Sequence, residues 1–289
     1  MRRIVSLALG LMLGGGPAVA AGPDRWAFEE KEEVRRTLRF ADPAKPGEVA
    51  VDNVWGSIAV EGADIRDVEL VIRKTIRARN EARLAKAQSE VNLEIKDNAP
   101  IVEIYVDGPF RCREGDRHGI EWDRHSGYEV VCDFELKVPR GCAVTLRTVT
   151  DGDIRVRNVE GAFDVRNVNG RVDIEGAAAE GDAHAVNGGV RVAFRRLPGA
   201  DCSFKTVNGK VDLTFPEAPS ADFRVKTFNG EAWADFPVEP MAVAPEPGTR
   251  RDGKFVYKSG GFSAVRSRRG GISIRVETLN GDIYLHTAK

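Results

Sequence analysis

One short phrase recurs in the second half of the chain, and it limits the folds that the chain can adopt. It reads threonine, an apolar residue, asparagine, glycine, and then alternating apolar and polar residues. Clear copies are KTVNGKVDLTF from Lys205, KTFNGEAWADF from Lys226 and ETLNGDIYLHT from Glu277. Alternation with period two is typical of β-strands, so each copy predicts a turn that leads into a strand.

The turn pairs of this phrase are regularly spaced. The first three lie 18 residues apart, the next two follow at intervals of 21, and the last is displaced by a proline-rich insert. Asparagine and glycine tolerate positive φ, so such a pair forms a tight turn at little steric cost. The predicted structural turn residues are Asp151, Gly152, Asn169, Gly170, Asn187, Gly188, Asn208, Gly209, Asn229, Gly230, Asn280 and Gly281.

Two architectures use periodic turns of this kind. In a meander or an antiparallel sandwich each turn closes a hairpin, whereas in a solenoid each turn is a corner that stacks on the next coil. We favour stacked coils because the spacing repeats a whole phrase, which would align asparagines in a hydrogen-bonded ladder and Val, Ile and Leu in a buried column. The predicted fold class is all-β, a β-solenoid or β-helix-like repeat domain with one short helix in its N-terminal half. An antiparallel β-sandwich or meander is the alternative.

The N-terminal segment predicts export. Arg2 and Arg3 precede an apolar run from Ile4 to Leu13, and Ala18-Val19-Ala20 forms a small-x-small cleavage site. These are the parts of a secretory signal peptide, which we assign to residues 1–20. We therefore expect an exported chain, periplasmic or on the cell surface, with no transmembrane segment after cleavage.

The remaining chain divides into two parts by pattern. Residues 21–140 are β-rich, and the run EARLAKAQSEV predicts a short helix at about 81–91 because it consists mainly of good helix formers. Residues 141–289 carry the repeats and a proline-rich loop at about 237–252. We expect residues 21–289 to form one continuous domain.

The charge balance argues against a nucleic-acid partner. The chain has 43 Lys and Arg against 44 Asp and Glu, so its net charge is close to zero. It contains no Gly-x-Ser-x-Gly elbow, and no carboxylate pair is marked out by its spacing. The sequence therefore predicts no enzyme activity and no cofactor.

Four cysteines occur, at positions 112, 132, 142 and 202. In an exported chain an even number favours disulfides, and Cys112 and Cys132 flank one polar stretch between apolar runs. We predict that they form a bond at the base of a loop between neighbouring strands. Cys142 and Cys202 lie about three coils apart, or about 14 Å, so we expect them not to bond to each other.

The same loop offers a metal site as an alternative. His118 and His125 lie between Cys112 and Cys132, and two sulfurs with two imidazoles form a zinc ligand set. The spacing does not match a compact Cys-x-x-Cys framework, and an oxidising compartment favours the disulfide.

Several segments resemble a known family. The step Val-Pro-Arg-Gly from Val138, the unit TVNGKVDL from Thr206 and the closing unit TLNGDIYL from Thr278 are similar to the bacterial putative-adhesin domain of unknown function. The resemblance covers roughly residues 49–286. It implies an exported β-repeat domain, and it transfers no catalytic or binding residue.

The predicted function follows from this architecture. We expect a non-enzymatic, adhesin-like scaffold or interaction protein of the cell envelope, because solenoids present long regular faces to a partner. The partner would be an envelope polymer or a protein, and self-association through an open sheet edge is a further expectation. The alternatives are a carbohydrate-active β-helix enzyme and a metal- or redox-responsive sensor that uses the loop between Cys112 and Cys132.

Overall fold

The fold is taken from a computed structural model of the chain. The predicted signal peptide, the histidines of the predicted metal site and Asp151 lie outside the described residues. The structure describes residues 26–42, 45, 47–112, 127–150, 152–242, 249–251, 254–256 and 263–288.

The described residues form strands and one helix, as the alternating pattern and the single helix-forming run predict. The helix, α1, spans Glu81–Glu90. The strands are β1 (Phe28–Leu38), β2 (Glu48–Asp52), β3 (Ile58–Ala63), β4 (Val68–Ala78), β5 (Asn92–Lys96), β6 (Ile101–Asp107), β7 (Tyr128–Pro139), β8 (Ala143–Thr148), β9 (Ile154–Arg157), β10 (Phe163–Asn169), β11 (Val172–Ala177), β12 (Gly181–Asn187), β13 (Val190–Phe194), β14 (Cys202–Lys205), β15 (Val211–Phe215), β16 (Ala221–Asn229), β17 (Ala232–Ala234), β18 (Glu239–Pro240), β19 (Thr249–Arg251), β20 (Lys254–Val256), β21 (Ser263–Ser267), β22 (Ile272–Asn280) and β23 (Ile283–Thr287).

Most strands belong to two large sheets. The first sheet has the order β1-β4-β7-β3-β9-β11-β13-β15-β23-β17, and the second has the order β18-β21-β16-β22-β14-β12-β10-β8-β2-β6-β5. Strands β19 and β20 pair separately as a short hairpin. Through the repeats, the chain alternates between the second sheet and the first.

Each coil therefore consists of one second-sheet strand and the first-sheet strand that follows it. Neighbouring coils pair in parallel, as Val172 shows by lying opposite Ile154 on one side and Val190 on the other. The coils stack in the order β6–β7, β2–β3, β8–β9, β10–β11, β12–β13, β14–β15, β22–β23 and β16–β17. This parallel stack confirms the predicted β-solenoid-like fold over an antiparallel sandwich or meander.

The core lies between the inner faces of the two sheets. Because side chains alternate along a strand, every second residue points inwards and stacks on its equivalent in the next coil. On the first sheet, Val156, Ile174, Val192 and Leu213 form one such buried column. The burial of each of these side chains contributes about 1.5–3 kcal/mol.

The coil order departs from the chain order at the C-terminal end. After β15 the chain first builds the outermost coil, β16–β17, and only later inserts β22–β23 between that coil and β14–β15. Asn280 consequently lies between Asn208 and Asn229 in space, although it follows both in sequence. The proline-rich insert is the connection that allows this return.

The N-terminal end of the stack is extended by antiparallel strands. Strands β1, β4 and β7 pair in that order, and α1 packs against β4 and β7. The Asn80 side chain caps the helix by accepting a 2.9 Å hydrogen bond from the backbone N–H of Arg83. The single predicted helix is confirmed. The solenoid itself starts earlier than the repeats indicated, since β2–β3 and β6–β7 are full coils.

The opposite end of the core is filled by aromatic side chains. Phe194 stacks on Phe215 with ring centroids 5.3 Å apart, and Phe215 meets Phe223 and Phe236 edge-on. These rings are buried. They close the core beneath the last coils, where no further repeat follows to cover it.

The glycine of the turn pair is required by close stacking of the coils. A Cβ atom on Gly188 would lie 2.1 Å from the carbonyl oxygen of Gly170 in the preceding coil, and one on Gly209 would lie 2.3 Å from that of Gly188. The sequence argument for positive φ does not apply at these positions, because neither glycine adopts it. Each corner instead rests directly on the backbone of the corner before it.

The asparagines of the turn pairs form a ladder beside these glycines. Each Nδ2 donates to the Oδ1 of the preceding coil in the stack, from Asn187 to Asn169 and from Asn208 to Asn187 at 2.8 Å. The ladder continues from Asn280 to Asn208 and from Asn229 to Asn280 at 2.7 Å. It holds neighbouring corners in register.

Candidate functional site

The apolar residue inside the repeated phrase points away from the core. In β10, Val165 and Asn167 are buried, so alternation places Val168 on the outer face of the second sheet. The equivalent residues Val186, Val207 and Leu279 are also exposed, and Phe228 most of all, at 72%, whereas Val149 is half-buried. We call these residues the apolar column; in stack order they are Val149, Val168, Val186, Val207, Leu279 and Phe228.

A second set of side chains lies on the same outer face, two residues earlier in each strand. In this set Arg166 lies opposite Arg147 and His184, and Lys205 lies opposite His184 and Glu277. Four of its six members are Lys or Arg. We call this set the basic column; in stack order it is Arg147, Arg166, His184, Lys205, Glu277 and Lys226.

The two columns run side by side and line one groove of about 760 Å³. They are about 6.7 Å apart along each strand, since the rise is about 3.3–3.4 Å per residue. The groove extends from Asp52 on β2 to Lys226 on β16, across seven neighbouring strands. At a spacing of about 4.8 Å per strand it is about 29 Å long.

Four buried polar atoms of the groove residues have no hydrogen-bond partner among the described residues. They are Oδ1 of Asn53, Nε of Arg147, Oδ1 of Asn167 and Nε2 of His184. Buried polar atoms in proteins are nearly always paired, and each unpaired one costs about 1–3 kcal/mol. These unpaired atoms therefore lower the stability of the strands that line the groove.

The surroundings of His184 keep its imidazole neutral down to a lower pH than an exposed histidine, because its pKa is lowered. Burial lowers its pKa, and the positive charges of Lys205 and Arg166 lower it further against the opposing effect of Asp182 and Asp164. The basic column already carries like charges on either side of this ring. Protonation at acidic pH would add another positive charge to the groove.

Hydrogen bonds from the repeated threonines hold the groove rigid. The hydroxyl of Thr206 donates to the carbonyl of Gly188 at 2.6 Å, and that of Thr278 donates to the carbonyl of Gly209 at 2.9 Å. Asn167 replaces threonine in β10 and donates to the carbonyl of Gly152 at 2.9 Å. Thr148 and Thr227 make the equivalent bonds to Gly56 and Gly281, whereas Ala185 takes this position in β12 and makes none.

The structure places the predicted turn residues beside the groove rather than in it. The asparagine ladder follows the apolar column by one residue and forms the corner, but no ladder asparagine lines the groove. The sequence interpretation treated the apolar residues of the repeats as core and so missed the apolar column. The sequence clue was the position of each valine relative to the Asn-Gly corner. Val207 precedes the corner and is exposed, whereas Val211 follows it and is buried.

Cys112 and Cys132 are free thiols in the structure, and the bond between them stays a prediction. Cys112 follows β6 in the second sheet, whereas Cys132 lies in β7 of the first sheet. The residues between them therefore connect two sheets and do not close a hairpin between neighbouring strands, as the sequence interpretation assumed. Burial raises the pKa of the Cys132 thiol to about 12, which makes it unreactive.

Cys142 and Cys202 are also free and buried. Cys142 adjoins β8 and Cys202 lies in β14, so two strands separate their own strands in the second sheet. Three strand spacings amount to about 14 Å, beyond the reach of a disulfide. Burial raises their pKa values to about 12 and about 11, respectively.

The described residues provide no metal centre. No group of three or more His, Cys, Asp or Glu side chains in this part of the chain is arranged to hold an ion. The same residues contain no helix long and apolar enough to cross a membrane.

Comparison with known families agrees with the family resemblance that the repeats indicated. Residues 136–245 match the family model of the Toastrack domain, DUF4097. Over this stretch the chain is Toastrack-like. The match confirms the predicted resemblance to a putative-adhesin domain of unknown function. The matched stretch includes most of the groove, from Arg147 to Phe228.

Two solved structures are similar over most of the chain, although weakly. A putative cell adhesion protein from Clostridium sporogenes is 9% identical, with a TM-score of 0.40, and covers 90% of this chain and 100% of its own. A putative adhesin from Bacteroides fragilis is 10% identical, with a TM-score of 0.36, and covers 89% of this chain and 97% of its own. No curated protein matches the chain.

Proposed function

We propose that the chain is an exported, non-enzymatic, adhesin-like interaction protein whose groove binds an extended acidic segment of another polypeptide. The observation that carries this proposal is the pair of parallel columns, one apolar and one basic, along the whole groove. Exposed apolar side chains in a continuous row, beside a row of mainly basic side chains, are typical of a binding surface.

The pairing of the two columns favours a polypeptide. Successive side chains of an extended chain point to opposite sides, so acidic residues can face the basic column while apolar residues face the apolar column. A lipid carries its acidic group at one end only, and the basic residues run the full length of the groove. An acidic polysaccharide offers few apolar groups for Val186, Val207 and Leu279.

The rigidity of the groove supports a binding role. The threonine bonds and the asparagine ladder fix each strand against its neighbours before any ligand arrives. A preformed site loses less conformational entropy on binding, which favours affinity.

The positions of the groove carboxylates support a non-enzymatic role. Asp52 lies on β2 and Glu277 on β22, five strand spacings or about 24 Å apart. The two carboxyl groups of a glycosidase lie about 5–9.5 Å apart. The carbohydrate-active alternative thus finds no acid pair in this groove, and the sensor alternative depends on residues outside the described part of the chain.

The location in the cell envelope rests on the N-terminal segment. The basic start, the apolar run and the small residues of positions 1–20 have the pattern of an export signal. We propose that cleavage releases the chain into the periplasm or onto the cell surface, where an adhesin-like groove meets its partner.

The test is a binding titration with a labelled peptide in which glutamate and leucine alternate. We expect Arg166→Gln to weaken binding about fivefold, because a charge-assisted contact worth about 1 kcal/mol is lost. Higher salt should weaken binding further, since the groove charges are accessible.

Arg155→Gln is the matched control. Arg155 on the first sheet bonds to Asp153 at 3.0 Å, just as Arg166 bonds to Asp164, and the two arginines are equally exposed. Equal weakening by both variants, or undetectable binding by the wild type, would contradict the proposal. Tighter binding of anionic vesicles or of an acidic polysaccharide would keep the groove as a site but reject a polypeptide ligand.

A further inference from the structure

Strand β1 presents a long unpaired edge. It has 11 residues and pairs only with β4, so it forms one border of the first sheet in the described part of the chain. Only Leu38, its last residue, is buried. The free backbone groups of such an edge can pair with another strand.

The charges of β1 are ordered along the strand. Its first half contains Glu29, Glu30, Glu32 and Glu33, and its second half contains Arg35 and Arg36. An antiparallel second copy would place its basic half against the acidic half of the first. The strand is therefore complementary in charge to itself.

The symmetry of such a pair restricts the possible registers. A two-fold axis normal to the sheet keeps the outer face of both copies on the same side, so odd-numbered residues face odd-numbered residues. On the outer face these are Glu29, Lys31, Glu33 and Arg35.

One register matches every charge on that face. With Glu32 opposite itself, Glu29 faces Arg35 of the second copy and Lys31 faces Glu33 of the second copy. A shift of the register by two residue numbers in either direction places Lys31 opposite another Lys31 or opposite Arg35. The single like-charged contact, at Glu32, lies on the other face beside Lys74 of β4.

Existing ion pairs would continue across the new edge. Glu29 bonds to Arg77 at 3.0 Å and Glu33 lies 3.4 Å from Arg73, and both arginines also contact glutamates of β7. Glu29 and Glu33, which also pair with Lys31 and Arg35 of their own strand at 2.8 Å, thus belong to charge networks that span three strands. A cation of a second copy would extend each network by one strand.

We propose that β1 pairs antiparallel with β1 of a second copy, centred on Glu32, and joins the two first sheets into one. The two-fold axis places both second sheets on the same side of the joined sheet. The two grooves remain open, because each lies on the outer face of a second sheet. Self-association through this edge is independent of what the groove binds.

The test uses two charge variants of the full chain in sedimentation equilibrium. The Lys31→Glu variant places two glutamates opposite each other, and the Glu33→Lys variant places two lysines opposite each other. We expect each variant alone to dimerise about tenfold more weakly than the wild type, because attractive cross-strand pairs become repulsive.

A mixture of the two variants provides the decisive comparison. One copy then carries two glutamates, at 31 and 33, and the other carries two lysines, so every facing pair is opposite in charge. We expect the mixture to form heterodimers at least as readily as the wild type forms homodimers. Lys210→Glu, on a distant corner, should leave dimerisation unchanged.

Three outcomes would overturn the proposal. One is a wild type that remains monomeric at its highest soluble concentration. Another is a dimer that neither variant weakens, and the third is a mixture that associates no better than its components. Because heterodimer formation requires both variants to be folded, a folding defect cannot imitate the expected result.

Discussion

The outer faces of the two sheets use the same coil spacing in opposite ways. On the first sheet, charges of alternating sign face each other across strands, as Arg191 does with Asp173 at 3.6 Å and with Glu175 at 3.2 Å. On the second sheet, Arg147 and Arg166 lie opposite each other, and His184 separates Arg166 from Lys205. Arg166 is paired with Asp164 of its own strand at 3.0 Å, and Lys205 is paired with Glu277 at 3.6 Å. Stacked coils bring equivalent residues within about 4.8 Å, so alternation stabilises the first face while like charges destabilise the second. The second face gives up stability that the first face keeps, which is typical of a functional surface.

The strongest test of this comparison removes the stacking that both faces share. Gly188→Ala would place a Cβ atom 2.1 Å from the carbonyl oxygen of Gly170, and the backbone at a corner cannot move without separating the coils. We expect a loss of about 3 kcal/mol or more in the free energy of unfolding, measured by urea denaturation.

Gly199→Ala is the matched control, because nothing lies within 4 Å of a Cβ atom at that position. We expect its stability to remain within about 0.5 kcal/mol of the wild type. A similar loss in both variants would contradict coil stacking as the reason for the turn glycines.

Glutamate introduced on the outer face of each sheet should change stability in opposite directions. Arg191→Glu removes an alternating charge on the first sheet, and we expect it to destabilise the chain by about 1 kcal/mol. His184→Glu introduces alternation between Arg166 and Lys205, and we expect it to stabilise the chain by about 0.5 kcal/mol while it weakens peptide binding.

The neutral variants Arg191→Gln and His184→Gln separate charge from shape in these measurements. The stability of each neutral variant should lie between that of the wild type and that of the corresponding glutamate variant. Destabilisation by His184→Glu would contradict the interpretation of the basic column as a place where stability is given up.

The smallest expected effect is a pH dependence from His184. Burial, with Lys205 and Arg166, lowers its pKa below the usual 6.5. As the pH falls through 6.5, the unfolded chain binds a proton before the folded chain does, so stability declines until the pH reaches the lowered pKa. We expect His184→Gln to reduce this decline in urea midpoints compared between about pH 7.5 and about pH 5.5. Equal declines in both proteins would contradict the lowered pKa.

Some features of the molecule follow directly from local sequence. Alternation through Ile154 and Val156, or Val190 and Val192, predicts strands with one buried side, and both pairs are buried. The run of helix formers from Glu81 predicts the one helix among the described residues. The repeated asparagines predict a ladder, and the structure contains it from Asn169 to Asn229.

The groove was not predictable by the same reasoning. Hydrophobicity alone does not distinguish Val207, which faces solvent, from Val211, which is buried on the other side of the corner. The phase of a strand relative to its corner decides which valine is buried, and that phase depends on how the coil closes. The assumption that Cys112 and Cys132 flank neighbouring strands was wrong for a similar reason, since β6 and β7 belong to different sheets.

The sequence by itself determined that the chain would form short strands, tight corners and stacked coils, because alternation and Asn-Gly pairs act within a few residues. The tertiary structure alone decided the order of the coils and hence the composition of the groove. Every copy of the phrase presents the same asparagine, threonine and glycine to its neighbours, so the phrase specifies that coils stack but not which coil lies beside which. The return of β22–β23 to a place between β14–β15 and β16–β17 is a long-range pairing. It places Glu277 and Leu279 within the groove, between residues that precede them by about 50 to 70 positions in the chain.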